Sequence, residues 1–471
     1  MPAVKFYELD TSRRLQMLVD EGLIDERDRA TLAPSRALPE DIGSHLIENH
    51  IGAFPVPLGL AEHFLIDGRA LRVPMATEEP SVIAAAGNAA QRVARSGGFH
   101  TRASRRGIVA QIVFRQGDGV GGGRCDADDR ADGVGVGGDA SGNRSGGRSG
   151  KRGLASFLAA HRREIGDVAD RAHPTLRSHG GGLCGIEVRR TGEFVEFDLL
   201  IATGEAMGAN TVNTIAEAVA AYLSARLAGF DLLMAILSNK ADDQRVHVEA
   251  RIAAADLATS TMPGDEVASR IAAAARFAEQ SDLRAATHNK GVMNGIVAAA
   301  LAAGNDVRNV VAAAYADLDA EQRTWTSWRV ADGGLCGSID MPMPIGVVGG
   351  AVSTLPVARL AMTMLGHPGA DELMGIIASV GLASNLSAMR ALVTQGIQAG
   401  HMHLQLRSLA MTTGAQGREL EVLTRRLQAD PSRASMERAR VLLDAIRAEH
   451  ASKGEASAGR VHTADGREMI E

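Results

Sequence analysis

The run Arg284-Ala285-Ala286-Thr287-His288-Asn289-Lys290-Gly291-Val292-Met293-Asn294-Gly295 sets a lysine between an arginine and an asparagine, and Asp306 follows sixteen positions after the lysine. A lysine near a carboxylate can hold a positive charge and a proton where an oxyanion develops. Arg284 and Asn294 are suited to holding an anionic group. The plain alternative makes Lys290 a solvated loop charge. A second segment, Glu78-Glu79-Pro80-Ser81-Val82, puts two carboxylates ahead of a small-residue helical run. Proline at a first helical position and an anion at a helix N-terminus are both favourable, so Ser81 is placed to donate to a ligand carboxylate. On the bland reading, Glu78 and Glu79 only complement the helix dipole.

A third segment, Gly204-Glu205-Ala206-Met207-Gly208-Ala209-Asn210, opens into a helical pattern. Its glycines let a ligand approach the backbone, and the helix start offers free N–H groups to phosphate. The spacing is not the G-x-G-x-x-G of a Rossmann domain. A fourth, Gly396-Ile397-Gln398-Ala399-Gly400-His401-Met402-His403, reads as a hinge carrying an imidazole. No Cys/His/Asp cluster with ligand spacing accompanies the His-x-His pair, so no metal is expected.

Together, in this order, these segments resemble the soluble (class II) type of 3-hydroxy-3-methylglutaryl-CoA (HMG-CoA) reductase. The resemblance runs from about Leu38 to about Leu409 and includes Glu48-Asn49-His50-Ile51-Gly52 and Met341-Pro342-Met343-Pro344-Ile345-Gly346. It implies a four-electron, NAD(P)H-dependent reduction of HMG-CoA to mevalonate and free CoA, or the reverse oxidation of mevalonate. The family's general acid falls on Glu79, its lysine on Lys290, its aspartate on Asp306 and its mobile histidine on His401. Lys290 would stabilise the oxyanion formed at the thioester carbonyl. Asp306 would orient Lys290 and share protons with Glu79, and His401 would protonate the departing CoA thiolate. Ser81, Arg284 and Asn294 would grip the substrate's free carboxylate. Glu205, Met207, Gly208, Ala209, Asn210 and Asn239 would contact the cofactor.

Some positions depart from the family pattern. Glu205 stands where aspartate is usual, Asp340 where glutamate is commoner, and Gly185 where an aspartate is common. His173-Pro174 occupies the region where NADH-preferring members carry an aspartate for the ribose 2′-hydroxyl. Without that carboxylate a 2′-phosphate is not repelled, and Arg171 and Arg177 lie nearby, so the reading leans slightly to NADPH over NADH. The resemblance around Glu48–Gly52 also implies a homodimer or higher homo-oligomer with shared active sites.

A chain of 471 residues can bury a large core and is expected to divide into domains. Only 3% of its residues are aromatic against 45% hydrophobic, which describes an Ala/Leu/Val-rich, helix-rich interior. The net charge of −6 gives no reason to expect nucleic acid or an anionic membrane as partner. No apolar run is read as approaching the roughly 20 residues of a membrane span. Three scattered cysteines suit a reducing cytoplasm.

The expected fold class is α+β. A large, mainly helical substrate domain (1–106 and 238–397) would hold an inserted small α+β nicotinamide-cofactor domain (107–237) that is not a Rossmann fold. A mobile C-terminal flap and polar tail (398–471) would follow, with an amphipathic stretch near Met436–Ile446 and disorder from about Ser452. Strand-like runs at Gly107–Phe114 and Glu193–Ile201 mark the small domain. Residues 117–153 hold 14 glycines with almost nothing apolar, and read as a disordered insert or a scrambled reading frame. Two other functions compete: a catalytically impaired CoA-ester-binding homologue, and a non-redox CoA-ester enzyme using Cys336 as nucleophile.

Overall fold

The computed structural model describes residues 6, 9–32, 37–117, 148–178, 180–396 and 406–458. His401, most of the glycine-rich segment and the chain beyond 458 therefore lie outside the described residues. The strands are β1 (Leu58–Ile66), β2 (Arg69–Ala76), β3 (Phe99–Arg105), β4 (Ile108–Gln116), β5 (Gly182–Thr191), β6 (Phe194–Ala202), β7 (Phe230–Leu237), β8 (Gln244–Ala253), β9 (Thr326–Ala331) and β10 (Gly334–Pro342). They form a six-stranded sheet, ordered β2-β1-β3-β8-β10-β9, and a four-stranded sheet, ordered β5-β6-β4-β7. Two Asp-Gly pairs make the hairpins of the larger sheet. Asp67 and Gly68 turn β1 into β2 with φ of 48° and 81°, and Asp332 and Gly333 turn β9 into β10 with 48° and 72°. That consecutive positive φ is the backbone a two-residue hairpin demands, and Asp-Gly supplies it cheaply.

Packed on the six-stranded sheet are the helices Val82–Ala94, Gly264–Gln280, Asp282–Ala302 and Ala370–Val393. The last two lie against each other at unusually short range. A Cβ on Gly295 would sit 2.8 Å from the Val380 carbonyl oxygen, and one on Gly381 would sit 2.7 Å from Ile296 Cγ1. Glycine costs helix propensity of about 1 kcal/mol relative to alanine, so its presence in both helices reflects this close approach. The Ala370–Val393 helix has a mean hydropathy of 1.5 over its most apolar window, enough in length and composition to cross a bilayer. The expectation that no run approaches that limit is corrected here. The helix is the centre of the core, with Leu373, Met374, Ile376, Ile377, Val380 and Leu382 all buried.

A second core gathers Ile108, Ile112, Phe114, Val195, Phe197, Leu199 and Ile201 from the four-stranded sheet with Ile215, Val219 and Leu223 of the Ala209–Ser224 helix. Both strand-like runs of the sequence are strands, as β4 and β6. The molecule is a mixed helix-and-sheet protein with more helix than strand among the described residues. The larger core carries the six-stranded sheet under a helical majority, as an α+β fold implies. Two expectations need adjustment. A helix begins at Arg148, inside the stretch read as an insert, and the Met436–Ala458 helix runs through Ser452, where the polar tail was expected to start.

On the outer face of the smaller sheet, Asp198 of β6 is 8% exposed and pairs with Arg189 of β5. Burial, helped by the neighbouring Glu196 charge and opposed by Arg189, pushes its carboxyl up to about 6. A raised carboxyl means that the native protein holds this proton more tightly than the unfolded chain does. The contribution to stability is therefore complete below pH ~4 and is lost as pH rises through ~6. Asp198→Asn cannot ionise, so its Tm relative to the wild type should climb between pH ~4.5 and ~7. Thermal melts across that range would refute the assignment if the difference stayed flat.

Candidate functional site

Helical geometry places Lys290 and Asn294, four residues apart, on one face of the Asp282–Ala302 helix. That face meets the segment linking β2 to the Val82–Ala94 helix. Lys290 Nζ donates to Glu79 Oε2 at 2.7 Å, and Asn294 Nδ2 donates to Glu79 Oε1 at 3.3 Å. Both oxygens of the carboxylate are held from the same helix, which fixes its orientation. The Glu79 backbone N–H donates to Thr77 Oγ1 at 3.1 Å. The pair is not sealed: the side chains of Glu79 and Lys290 are 36% and 59% exposed.

Ser81 takes a form the sequence did not foretell. The helix begins at Val82 and Pro80 sits in the turn before it, so Ser81 occupies the N-cap with a left-handed φ of 76°. Its hydroxyl is buried and has no hydrogen-bond partner among the described residues. A non-glycine residue at positive φ costs of order 1–3 kcal/mol, and a buried hydroxyl without a partner adds to that. Strain and an orphaned donor, two residues from Glu79, mark a place where a polar ligand group fits.

Asp306 does not join this pair. It is the N-cap of the Val307–Ala316 helix, accepting from the backbone of Arg308 at 3.0 Å and of Asn309 at 3.3 Å. It also pairs with the Arg308 guanidinium, whose hydrogen bond is the main reason its carboxyl lies below the usual range. Among the described residues, none of its hydrogen bonds reaches Lys290 or Glu79. Arg284 lies near the start of the Lys290 helix and donates to Met389 Sδ at 3.8 Å. It forms no ion pair among the described residues, and burial lowers its pKa. Asn294 is engaged with Glu79, and no hydrogen bond joins Ser81, Arg284 and Asn294 to one another among the described residues. His401 lies outside the described residues.

The glycine loop ahead of the Ala209–Ser224 helix is built as its residue types require. Gly204 and Gly208 have φ of 59° and 86°, and Gly208 is an N-cap with no side-chain hydrogen bond. The first N–H groups of the helix are thus free of any capping side chain, an arrangement that suits a phosphate. Asn210 and Asn239 are both exposed, Asn239 in the turn after β7. Met207 packs its backbone nitrogen so closely on Gly346 that a Cβ there could not fit. Glu205 is committed elsewhere, its Oε2 accepting from the Ala370 N–H at 2.7 Å.

Two contributors were missed in the sequence. Arg105, at the end of β3, has a side chain only 10% exposed and donates to the carbonyls of Ala206 and Ile345, at 3.2 and 3.3 Å. His288 is buried beneath the Lys290 helix with Thr326, Trp328 and Asn385. The alternation Thr326-Ser327-Trp328 on β9, which puts two buried side chains on one face, was the available signal for the latter.

An acid and a cation thus meet beside a strained serine, and an uncapped helix start lies against the four-stranded sheet. The hydroxymethylglutaryl-coenzyme A reductase family profile matches residues 10–120 and 150–406, and the chain belongs to that family. It is 36% identical over 449 residues to the 3-hydroxy-3-methylglutaryl-coenzyme A reductase of Archaeoglobus fulgidus, covering 92% of this chain and 94% of the relative. Among solved structures, the reductase of Streptococcus pneumoniae superposes with a TM-score of 0.73 at 33% identity, covering 94% of this chain and 99% of that one. The class II form of that enzyme bound to NADPH, in open conformations, gives 0.72 at 32%, covering 83% and 99%.

Replacing Ser81 by glycine removes the left-handed strain and the orphaned hydroxyl together. The added freedom of the unfolded chain costs roughly 0.5–1 kcal/mol, which the relieved strain offsets. Ser81→Gly should therefore melt at or above the wild-type temperature, whereas Ser81→Ala keeps the strain. A clear drop in Tm for the glycine variant would show that Ser81 is not strained.

Proposed function

We propose that this reductase converts HMG-CoA to mevalonate and CoA with NADPH as the preferred electron donor, and that Glu79 and Lys290 work at the reacting carbonyl. The observation that carries this reading is the two-oxygen clamp on Glu79 by Lys290 and Asn294. Two nicotinamide dinucleotides, bound in turn, would supply the two hydrides that this four-electron reduction needs. Lys290 then neutralises the oxyanion left on the substrate oxygen, and Glu79 delivers a proton to that oxygen at the aldehyde stage. His401 is assigned by resemblance as the acid for the CoA thiolate, and Asp306 as the aspartate completing the proton network. For Asp306 this requires a rearrangement away from Arg308.

We divide the chain as 1–106 and 238–397 for substrate, 107–237 for cofactor and 398–471 for the flap. The uncapped start of the Ala209–Ser224 helix supports a pyrophosphate there. His173 Nε2 lies 3.4 Å from Thr211 Oγ1 on that helix, which brings the basic segment Arg171–Arg177 alongside and supports a 2′-phosphate. The carboxylate of Glu205 is not needed for this, since it caps another helix. The resemblance to the class II reductases and the free Cys184 and Cys336 support a cytoplasmic location.

The same reading includes a homo-oligomer with shared sites. Ile51 and Phe54, on a segment without secondary structure, are 101% and 91% exposed. Side chains of that size left wholly open support a second copy of the chain as their cover, and the exposed Glu79–Lys290 pair would be closed in the same way. Light scattering should give at least a dimer at assay concentration; an active monomer would refute the shared site.

Lys290→Ala should lower HMG-CoA-dependent NADPH oxidation by about 10²–10³-fold with the circular dichroism spectrum unchanged, the usual loss for one preorganised electrostatic contact. The assay run with NADH beside NADPH reads the cofactor preference directly. A variant keeping a third of wild-type activity would remove Lys290 from the chemistry.

A further inference from the structure

Beneath Lys290, on the opposite side of its helix, lies a group of buried polar side chains that the chemistry above does not use. His288 is 2% exposed, Asn385 1%, Thr326 3% and Trp328 3%. Trp328 Nε1 donates to Asn385 Oδ1 at 2.7 Å. Indole is a donor only, so this contact fixes which end of the Asn385 amide faces the tryptophan. Asn385 Nδ2 must then point the other way, and it lies 3.1 Å from His288 Nε2. Because Nδ2 can only donate, Nε2 must accept; the Thr326 hydroxyl lies 2.6 Å from the same nitrogen and 3.5 Å from Asn385 Oδ1, and its one proton serves one of these two acceptors. The ring proton therefore sits on Nδ1, which is buried and without a partner among the described residues. Burial, reinforced by the charge of Arg284 on the same helix, holds the His288 pKa down at about 4. His288 is neutral in use and cannot serve as an acid or base near neutral pH.

We propose that His288 is a positioning residue whose Nε2, gripped by Thr326 and Asn385, fixes the rotation of the Asp282–Ala302 helix and so places Lys290 and Asn294 on Glu79. Residues 288 and 290 stand about 200° apart around the helix, so a pin on one side sets the angle of the other. The pin connects three elements, since Thr326 and Trp328 come from β9 and Asn385 from the Ala370–Val393 helix. Apolar packing at Gly295 and Gly381 fixes the separation of the two helices, but small side chains leave rotation poorly defined. Directional hydrogen bonds supply that angle. A misplacement of about 1 Å at a reacting group can cost ~10² in rate.

The inference rests on the reading of Glu79 and Lys290 as the reacting pair, and the experiment separates the two. His288→Phe keeps the bulk and loses the acceptor. His288→Gln returns an amide oxygen to about the place of Nε2. Trp328→Phe keeps an aromatic ring on β9, gives up part of the indole packed over Gly337 and frees the Asn385 amide to turn. Steady-state kinetics would be measured well below each variant's Tm, with HMG-CoA and NADPH varied. His288→Phe should lower kcat about 10–100-fold with both KM values within about threefold, because the displaced groups act on charge that exists only in the transition state. His288→Gln should recover to within about threefold of wild type. Trp328→Phe should lower kcat in the same sense, and the double variant with His288→Phe should be no worse than His288→Phe alone. A folded His288→Phe with near-normal kcat, a lower Tm notwithstanding, would overturn the proposal, as would a Gln variant as poor as Phe. If His288→Phe does not fold, wild-type kcat in Trp328→Phe overturns it equally. Lys290→Ala is the control: full activity there defeats the underlying reading, whereas its loss beside a normal His288→Phe defeats only the positioning role.

Discussion

The close contact between the Asp282–Ala302 and Ala370–Val393 helices is the constraint on which the rest of the structure depends. Two glycines, Gly295 and Gly381, allow it, each lying where a Cβ would collide with the opposing helix. One consequence is energetic: the apolar side chains from Leu373 to Leu386 are buried almost completely, at roughly 25 cal/mol per Å² of apolar surface. The other is geometric. The Lys290 helix is held between the buried Ala370–Val393 helix on one side and the Glu79 turn on the other. Its polar residues divide accordingly, with Lys290 and Asn294 toward Glu79 and with His288 and Asn289 inward.

Much of this was legible because the chemistry is concentrated in short runs. The Glu79 and Lys290 segments stand more than two hundred residues apart in sequence, and family resemblance joined them; propensity alone could not. The β4 and β6 runs were readable from their alternation, since one face is buried and the other is not. The six-stranded sheet was harder. Its strands are separated by the whole of the second sheet, and β3 and β8 pair across that gap, a long-range pairing that no local pattern reports. The hydropathy of the Ala370–Val393 helix was also underread. Acidic residues at its start and Arg390 near its end interrupt the apolar character only at the ends, while the middle is a core helix buried on all sides.

The site shows a different limit. Residue types indicated which groups could do chemistry, but not which partners they would take. Asp306 had a helix start immediately after it, and an aspartate in that position satisfies the open N–H groups first. Glu205 likewise caps a helix that begins 165 positions later. In both cases the carboxylate accepts from backbone N–H groups at a helix start. Ser81 is a different case: the sequence reading puts Pro80 at the first helical position, whereas Ser81 itself is the N-cap and its hydroxyl has no partner among the described residues.

Arg105 has a mechanical consequence. Its guanidinium is buried at the last residue of β3, directly before the chain enters the smaller sheet, and holds the carbonyls of Ala206 and Ile345 together. Ile345 is followed by Gly346, whose N–H is held by Asn305, the neighbour of Asp306. The glycine loop of one sheet domain and the turn carrying Asp306 thus share a continuous chain of directional bonds. A displacement of the glycine loop would have to break one of these bonds or carry Asn305 with it.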